Sequence, residues 1–89
     1  MMEKYRVNEA VSGSKVNGEM ILLNLASGSY INLDEIGSRI WELLHESKTL
    51  NELVLTLIEE YDVDADRCQE DVCVFLVDLL EKGVVQVAE

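Results

Sequence analysis

The sequence has no proline, a single histidine and no long run of apolar residues. Its longest unbroken apolar stretch covers residues 72–77, which is far too short to cross a membrane. The first ten residues lack the apolar run that a signal peptide needs. We therefore expect a soluble cytoplasmic protein made of a single domain, residues 1–89.

Residues that would carry catalysis or bind a metal are scarce. The only histidine, His45, lies near the end of a predicted helix, where a cation interacts favourably with the helix dipole. The acidic stretch 62–66 has aspartates spaced as in a calcium loop, but Arg67 and Cys73 occupy the positions that require glycine and glutamate. No glycine-rich phosphate loop or nucleophile elbow is present. The sequence predicts a protein without catalytic activity, cofactor or metal.

The two cysteines, Cys68 and Cys73, are five residues apart. On a helix this spacing rotates them about 140° from each other. We therefore expect reduced cysteines that pack within the fold and form no disulfide with each other.

Positive charge is also scarce. Seven basic residues stand against eighteen acidic ones, which gives a net charge of −11. A surface of this sign repels nucleic-acid phosphates and anionic membranes, so we expect neither as a partner. A basic or neutral partner fits the charge better.

Strand signals precede residue 34. Asn17-Gly18 is a strong hairpin signal because both central residues of a type I′ turn need positive φ. It predicts one strand around 11–16 and a second around 19–25. A turn at 26–28 then leads to a third strand at 29–33. The sequence therefore predicts a three-stranded antiparallel meander.

Helix signals follow. Asp34 can cap a first helix, and Thr49 with Glu52 forms a capping box for a second. A third helix starts near 64–66 and stops before Gly83. The predicted fold class is α+β, a three-stranded sheet followed by three helices.

The third predicted strand and the third predicted helix both have surfaces that the fold leaves unexplained. Residues 29–33 form an edge strand with no charge or proline to protect it. The helix has an apolar arc of about 200°, whereas packing on one core needs about 100°. In one interpretation residues 4–9 cover the strand and residues 84–88 cover the helix, as an edge strand or a tail. In the other, a peptide adds to the strand and packs on the helix.

Three stretches resemble a known family: ILLNLASGSYINLDEIGSRIWELL at 21–44, TLNELVLTLIEEYDVD at 49–64 and EDVCVFLVDLLEKGVV at 70–85. Their order and spacing are similar to those of the PqqD family, the RiPP recognition elements that serve biosynthesis of ribosomally made, modified peptides. The resemblance implies a winged-helix-like fold. It also implies that a leader peptide adds a strand beside 29–33 and packs against the third helix.

The resemblance further implies a set of peptide-binding residues: Ser29, Tyr30, Ile31, Asn32, Arg67, Asp71, Val74, Phe75 and Asp78. Phe75 would line an apolar pocket, and the two helix carboxylates of Asp71 and Asp78 would meet polar or basic leader residues. The opposite flank of the helix, with Cys73 and Val77, is the alternative. If the amide of Ile31 faces outward, proline at this position should weaken peptide binding.

The turn at 26–29 and the lack of proline separate the chain from the pyrroloquinoline-quinone subgroup, which carries a Tyr-Pro-Glu-Gly-like turn and a tryptophan close to its end. The chain is more similar to the standalone recognition proteins of lasso-peptide clusters. This implies a non-catalytic adaptor that presents a precursor peptide to a cysteine-protease-like leader peptidase and a cyclase. Three alternatives stay open: a chaperone serving a radical-SAM enzyme, a dimerisation module, and a winged-helix nucleic-acid binder, which the charge disfavours.

Overall fold

Two three-stranded antiparallel sheets and three helices make up the fold. The computed structural model describes residues 3–88. The strands are β1 (Lys4–Val7), β2 (Val11–Val16), β3 (Glu19–Asn24), β4 (Tyr30–Leu33), β5 (Lys48–Thr49) and β6 (Val85–Ala88). The helices are α1 (Glu35–Leu43), α2 (Leu50–Glu60) and α3 (Ala65–Glu81). The α+β class is confirmed, whereas the winged-helix likeness stays a prediction.

The first sheet is the predicted meander, with strand order β2-β3-β4. Asn17 and Gly18 join β2 to β3 with φ angles of 54° and 84°, the left-handed values that a type I′ turn requires. Along β3, Met20, Leu22 and Asn24 are buried on the inner face of the sheet. Because the side-chain period of a strand is two, the intervening residues of β3 face outward.

The second sheet, of order β5-β1-β6, differs from the sequence-based expectation. β1 pairs with β6 along its whole length, and the two-residue β5 pairs with the other side of β1. The interpretation in which residues 4–9 cover β4 is therefore wrong, because residues 4–7 pair within this other sheet. The edge-strand alternative for residues 84–88 is confirmed. No local turn signal predicts β1, because its main partner, β6, lies at the far end of the chain.

The helix ends follow the predicted capping residues. Asp34 Oδ1 accepts a hydrogen bond from the N–H of Gly37 at 2.8 Å, and Asp64 Oδ2 accepts one from the N–H of Arg67 at 3.0 Å. Gly83, with φ of 74°, follows the last turn of α3 in the left-handed conformation that commonly ends helices. None of the helices within residues 3–88 is both long and apolar enough to span a membrane.

One apolar core joins the inner face of β3 to all three helices. The largest fully buried side chains within residues 3–88 are Leu22, Ile40, Leu44, Leu53, Leu57, Leu79 and Val84. On α3 the core takes Cys68, Val72, Leu76 and Leu79, whereas Val77 is 49% exposed. β6 packs on α3 but leaves part of the wide apolar arc of this helix in contact with solvent.

The capping box at the start of α2 is complete. Thr49 Oγ1 accepts a hydrogen bond from the N–H of Glu52 at 3.1 Å, and Glu52 Oε1 accepts one from the N–H of Thr49 at 2.9 Å. The bond from the Thr49 backbone lowers the pKa of Glu52, because it stabilises the charged carboxylate. Two otherwise unpaired N–H groups are thus satisfied reciprocally.

The substitution Thr49→Ala should lower the free energy of unfolding by about 1 kcal/mol, because it removes the capping acceptor. Urea denaturation measures this difference. Thr56→Ala is the matched control, since Thr56 lies inside the same helix and its hydroxyl only donates to the carbonyl of Glu52. An equal loss of stability in both variants would show that the cap contributes nothing specific.

Candidate functional site

The hydrogen bonds of β3 alternate strictly between its two neighbours. The N–H of Asn24 donates to the carbonyl of Ser29 at 2.8 Å, toward β4. The N–H of Leu25 donates to the carbonyl of Ala10 at 3.0 Å, toward β2. In an antiparallel ladder hydrogen-bonded and non-hydrogen-bonded pairs alternate. Even-numbered residues of β3 therefore bond to β4, and odd-numbered residues bond to β2.

This alternation determines which backbone groups of β4 are free. Leu22 lies opposite Ile31, so the N–H and C=O of Ile31 point toward β3. Tyr30 and Asn32 lie between the bonded pairs, and their N–H and C=O groups point away from β3. Within residues 3–88 no strand pairs with this side of β4. The edge of β4 therefore offers two donors and two acceptors to a ligand.

The amide of Ile31 does not face outward, so the condition for the expected effect of proline at this position is not met. This amide belongs to the ladder between β3 and β4, so proline there would damage the sheet itself. Ser29 precedes β4, and its carbonyl is already used by Asn24. Of the four residues expected at this edge, Tyr30 and Asn32 are the two with outward backbone groups.

A groove of about 540 Å³ runs beside the free edge of β4, and we call it the β4 groove. It is lined by Asn32 of β4, by Ile36 and Gly37 of α1, and by Asp71 and Phe75 of α3. Phe75 is partly buried and packs against the core. The structure therefore brings the free strand edge, an apolar surface and a carboxylate together.

The β4 groove is negatively charged. Three carboxylates line it, those of Glu19, Asp34 and Asp71, and no basic side chain within the described residues does so. Asp34 is the cap of α1 and already accepts a hydrogen bond. Among residues 3–88 neither Glu19 nor Asp71 takes part in an ion pair. Two carboxylates are thus available to a cationic ligand group.

A smaller pocket of about 300 Å³ adjoins the β4 groove, and we call it the Arg67 pocket. The two share Ile36, Asp71 and Val72 as lining residues, so they form one continuous depression. Its other lining residues include Tyr61, just after α2, Asp64, the cap of α3, and Arg67, in the first turn of α3. The depression can accept a chain that pairs with β4 and continues along α3.

Two titratable side chains of the Arg67 pocket, Cys68 and Tyr61, remain neutral at neutral pH because their pKa values are raised. Burial raises the pKa of the Cys68 thiol, and the negative charge of Asp71 raises it further. Burial also raises the pKa of the Tyr61 hydroxyl, with a contribution from Glu35. Both effects disfavour the charged form, so these side chains present a neutral wall.

Val74 and Asp78 lie outside the β4 groove and the Arg67 pocket. Val74 is 66% exposed and lines a separate depression with Leu50 and Cys73. Asp78 accepts a hydrogen bond from Lys82 Nζ at 2.9 Å along the same helix. The structure thus brings Asn32, Arg67, Asp71 and Phe75 together, but not these two residues.

Gly37 and Tyr61 also line the depression, although neither is among the residues expected from the sequence. An isolated glycine within a helical pattern is itself a sequence signal, because it often marks close packing. Gly37 gives that signal in the first helix. Tyr61 gives none, because its position after α2 depends on the packing of α2 and α3.

The sequence profile described as Coenzyme PQQ synthesis protein D (PqqD) matches residues 19–85. The chain belongs to the PqqD family. The matched range contains β3, β4 and all three helices, and therefore every residue that lines the β4 groove and the Arg67 pocket. The family resemblance seen in the sequence is confirmed.

Solved structures support the same assignment. TbiB1 in complex with the TbiA(beta) leader peptide is 37% identical, with a TM-score of 0.83 over 91% of this chain and 94% of that chain. Lasso peptide synthetase B1 complexed with the leader peptide is 23% identical, with a TM-score of 0.81 over 92% of this chain and 96% of that chain. The second likeness shows the shared PqqD-family fold alone. No curated protein sequence matches this chain.

The two cysteines should differ strongly in reactivity toward a maleimide. Cys73 is exposed, whereas Cys68 is buried and its pKa is raised, so little of it is the reactive thiolate. Mass spectrometry at pH 7 should show rapid addition of one label, at Cys73. The variant Cys73→Ser should label slowly, and faster as the pH rises toward the raised pKa of Cys68. Equal rates at both cysteines would contradict this geometry.

Proposed function

We propose that this PqqD-family chain, residues 1–89, is a non-catalytic adaptor that binds the leader segment of a ribosomally made precursor peptide. The leader adds a strand to the free edge of β4 and places side chains in the β4 groove and the Arg67 pocket. The observation that carries the proposal is the outward-directed backbone of Tyr30 and Asn32 beside this depression. The leader-peptide complexes of two structural relatives support it.

The backbone bonds alone are too weak for tight binding. Four outward groups, at a net contribution of about 1 kcal/mol for each hydrogen bond, supply about 4 kcal/mol. A micromolar complex requires a net binding free energy of about 8 kcal/mol. The contacts must supply this amount and also offset the cost of ordering the peptide. The remainder must come from apolar side chains of the leader that are buried against Phe75, Ile36 and Tyr61.

The negative charge of the chain and of the β4 groove favours a leader that carries a cationic side chain. The chain carries a net charge of −11, and Glu19 and Asp71 line the β4 groove without an ion pair among the described residues. We propose that a lysine or arginine of the leader lies near these two carboxylates. Among residues 3–88, Arg67 is the basic side chain that lines the neighbouring pocket, where it can bind a leader carbonyl or carboxylate.

We further propose that the precursor is a lasso-peptide precursor. A leader peptidase of the cysteine-protease type and a cyclase are the partner enzymes, and all of them act in the cytoplasm, where the precursor is translated. The turn at 26–29 and the lack of proline, which separate the chain from the pyrroloquinoline-quinone subgroup, support this choice. A homodimer built on the same edge would bring two chains of charge −11 together, which disfavours a dimerisation module.

A synthetic peptide with the leader sequence of the precursor encoded beside this gene should bind with micromolar or better affinity. In a ¹⁵N NMR titration, amide signals should shift in residues 29–33 and 66–80, because β4 and α3 contact the peptide. A peptide of the same composition in scrambled order is the control. Shifts confined to other segments, or none, would contradict the proposed function.

The substitution Asn32→Pro should weaken leader binding by about fivefold or more, because it removes one outward donor from the edge of β4. Isothermal titration calorimetry measures the affinity. Since this N–H faces solvent in the free chain, the melting temperature should change little.

Lys15→Pro is the matched control for this prediction. Val16 lies opposite Glu19 at the hairpin end, so the amide of Lys15 points outward on β2, at the opposite edge of the same sheet. This variant should bind the leader like the wild type. A folded Asn32→Pro variant with unchanged affinity would show that the leader docks elsewhere.

A further inference from the structure

Gly37 is the point at which α1 meets the ring of Phe75. A Cβ atom built on Gly37 would lie 3.1 Å from Cζ of Phe75, 3.2 Å from Oδ1 of Asp34 and 3.4 Å from Cβ of Leu33. The first two distances are shorter than ordinary van der Waals contacts between carbon or oxygen atoms. The position therefore has no free space for a side chain.

The conformation of the backbone does not require glycine here. Gly18, Gly28 and Gly83 have positive φ, but Gly37 lies in the first turn of α1 with helical geometry. Within a helix glycine is less favourable than alanine by about 1 kcal/mol. Close packing, and not backbone freedom, is thus the structural reason for glycine at this position.

Of the three neighbours of Gly37, the Phe75 ring is the one that can move. Leu33 is buried, at 2% exposure, and Asp34 is held by its hydrogen bond to the N–H of Gly37. Phe75 is only partly buried and lines the β4 groove together with Gly37. A side chain at position 37 would therefore displace the Phe75 ring from its contact with α1 and move it into the β4 groove.

We propose that Gly37 is a positioning residue for peptide binding. Its missing side chain lets the Phe75 ring lie directly against α1, and this keeps the β4 groove deep enough for an apolar leader side chain. The inference rests on the proposed function and deepens it. The contact between Gly37 of α1 and Phe75 of α3 sets the depth of the groove, so a larger residue at position 37 weakens leader binding.

The first experiment uses Gly37→Ala and the synthetic leader peptide of the precursor encoded beside this gene. Calorimetry should show an affinity about tenfold weaker than that of the wild type, because the displaced ring fills the site. Gly13→Ala is the matched control. A Cβ at Gly13 would lie 3.1 Å from both Met20 Sδ and Trp41 Nε1, an equally tight contact that is not part of the β4 groove. This variant should retain wild-type affinity.

The second experiment is a double-mutant cycle with Phe75→Leu. Leucine does not extend as far as the Cζ atom of the ring, so a Cβ at position 37 then has room. In the Phe75→Leu background, Gly37→Ala should change the affinity less than twofold. A merely structural effect of the alanine would instead reduce binding equally in both backgrounds.

A third measurement needs no peptide. In the wild type a nuclear Overhauser effect should connect the ring ζ proton of Phe75 to the α protons of Gly37, and Gly37→Ala should alter the ring shifts. Unchanged affinity of Gly37→Ala, or equal losses across the cycle, would overturn the inference while the proposed function stands. Absence of leader binding by the wild type would overturn the proposed function and the role of Gly37 in affinity. The contact between the Phe75 ring and Gly37 could still be measured in that case.

Discussion

The register of β3 is the constraint on which both the core and the free edge depend. Side chains and hydrogen bonds alternate along a strand with the same period of two, so one register sets both. It buries Leu22 and, through β4, directs the backbone of Tyr30 and Asn32 outward. A slip of β4 by one residue would expose Ile31 and turn the wrong amides to the edge. The same register therefore determines both the stability of the core and the backbone groups that the edge of β4 offers to a ligand.

Much of the first sheet and all three helices can be predicted from the sequence, because short-range chemistry specifies them. The Asn17-Gly18 turn and the caps Asp34, Thr49 and Asp64 each act within a few residues. The second sheet cannot be found in this way. β1 gains its partners only when the far end of the chain folds back, and β5 is only two residues long.

The candidate site was predictable in outline but not in detail. A helical projection places Asp71, Val74 and Phe75 on one flank of α3, yet it does not say how far the flank extends into the groove. The core settles this point, because burial of Val72 and Leu76 leaves Phe75 at the border and Val74 exposed. The outward amides likewise follow from the pairing of β4 with β3, which no single strand reveals. Distances between elements, such as those around Gly37, exist only in the folded chain.

The pairing of β1 with β6 has a consequence for larger assemblies. Lys4 lies opposite Ala88, so the described chain enters and leaves the fold at one place. Neither strand lines the β4 groove or the Arg67 pocket. A further domain joined at either side would therefore emerge from the second sheet without crossing the β4 groove. The fold is geometrically suited to act as a portable module, one that can be carried by another polypeptide or grafted onto it while its recognition surface stays open.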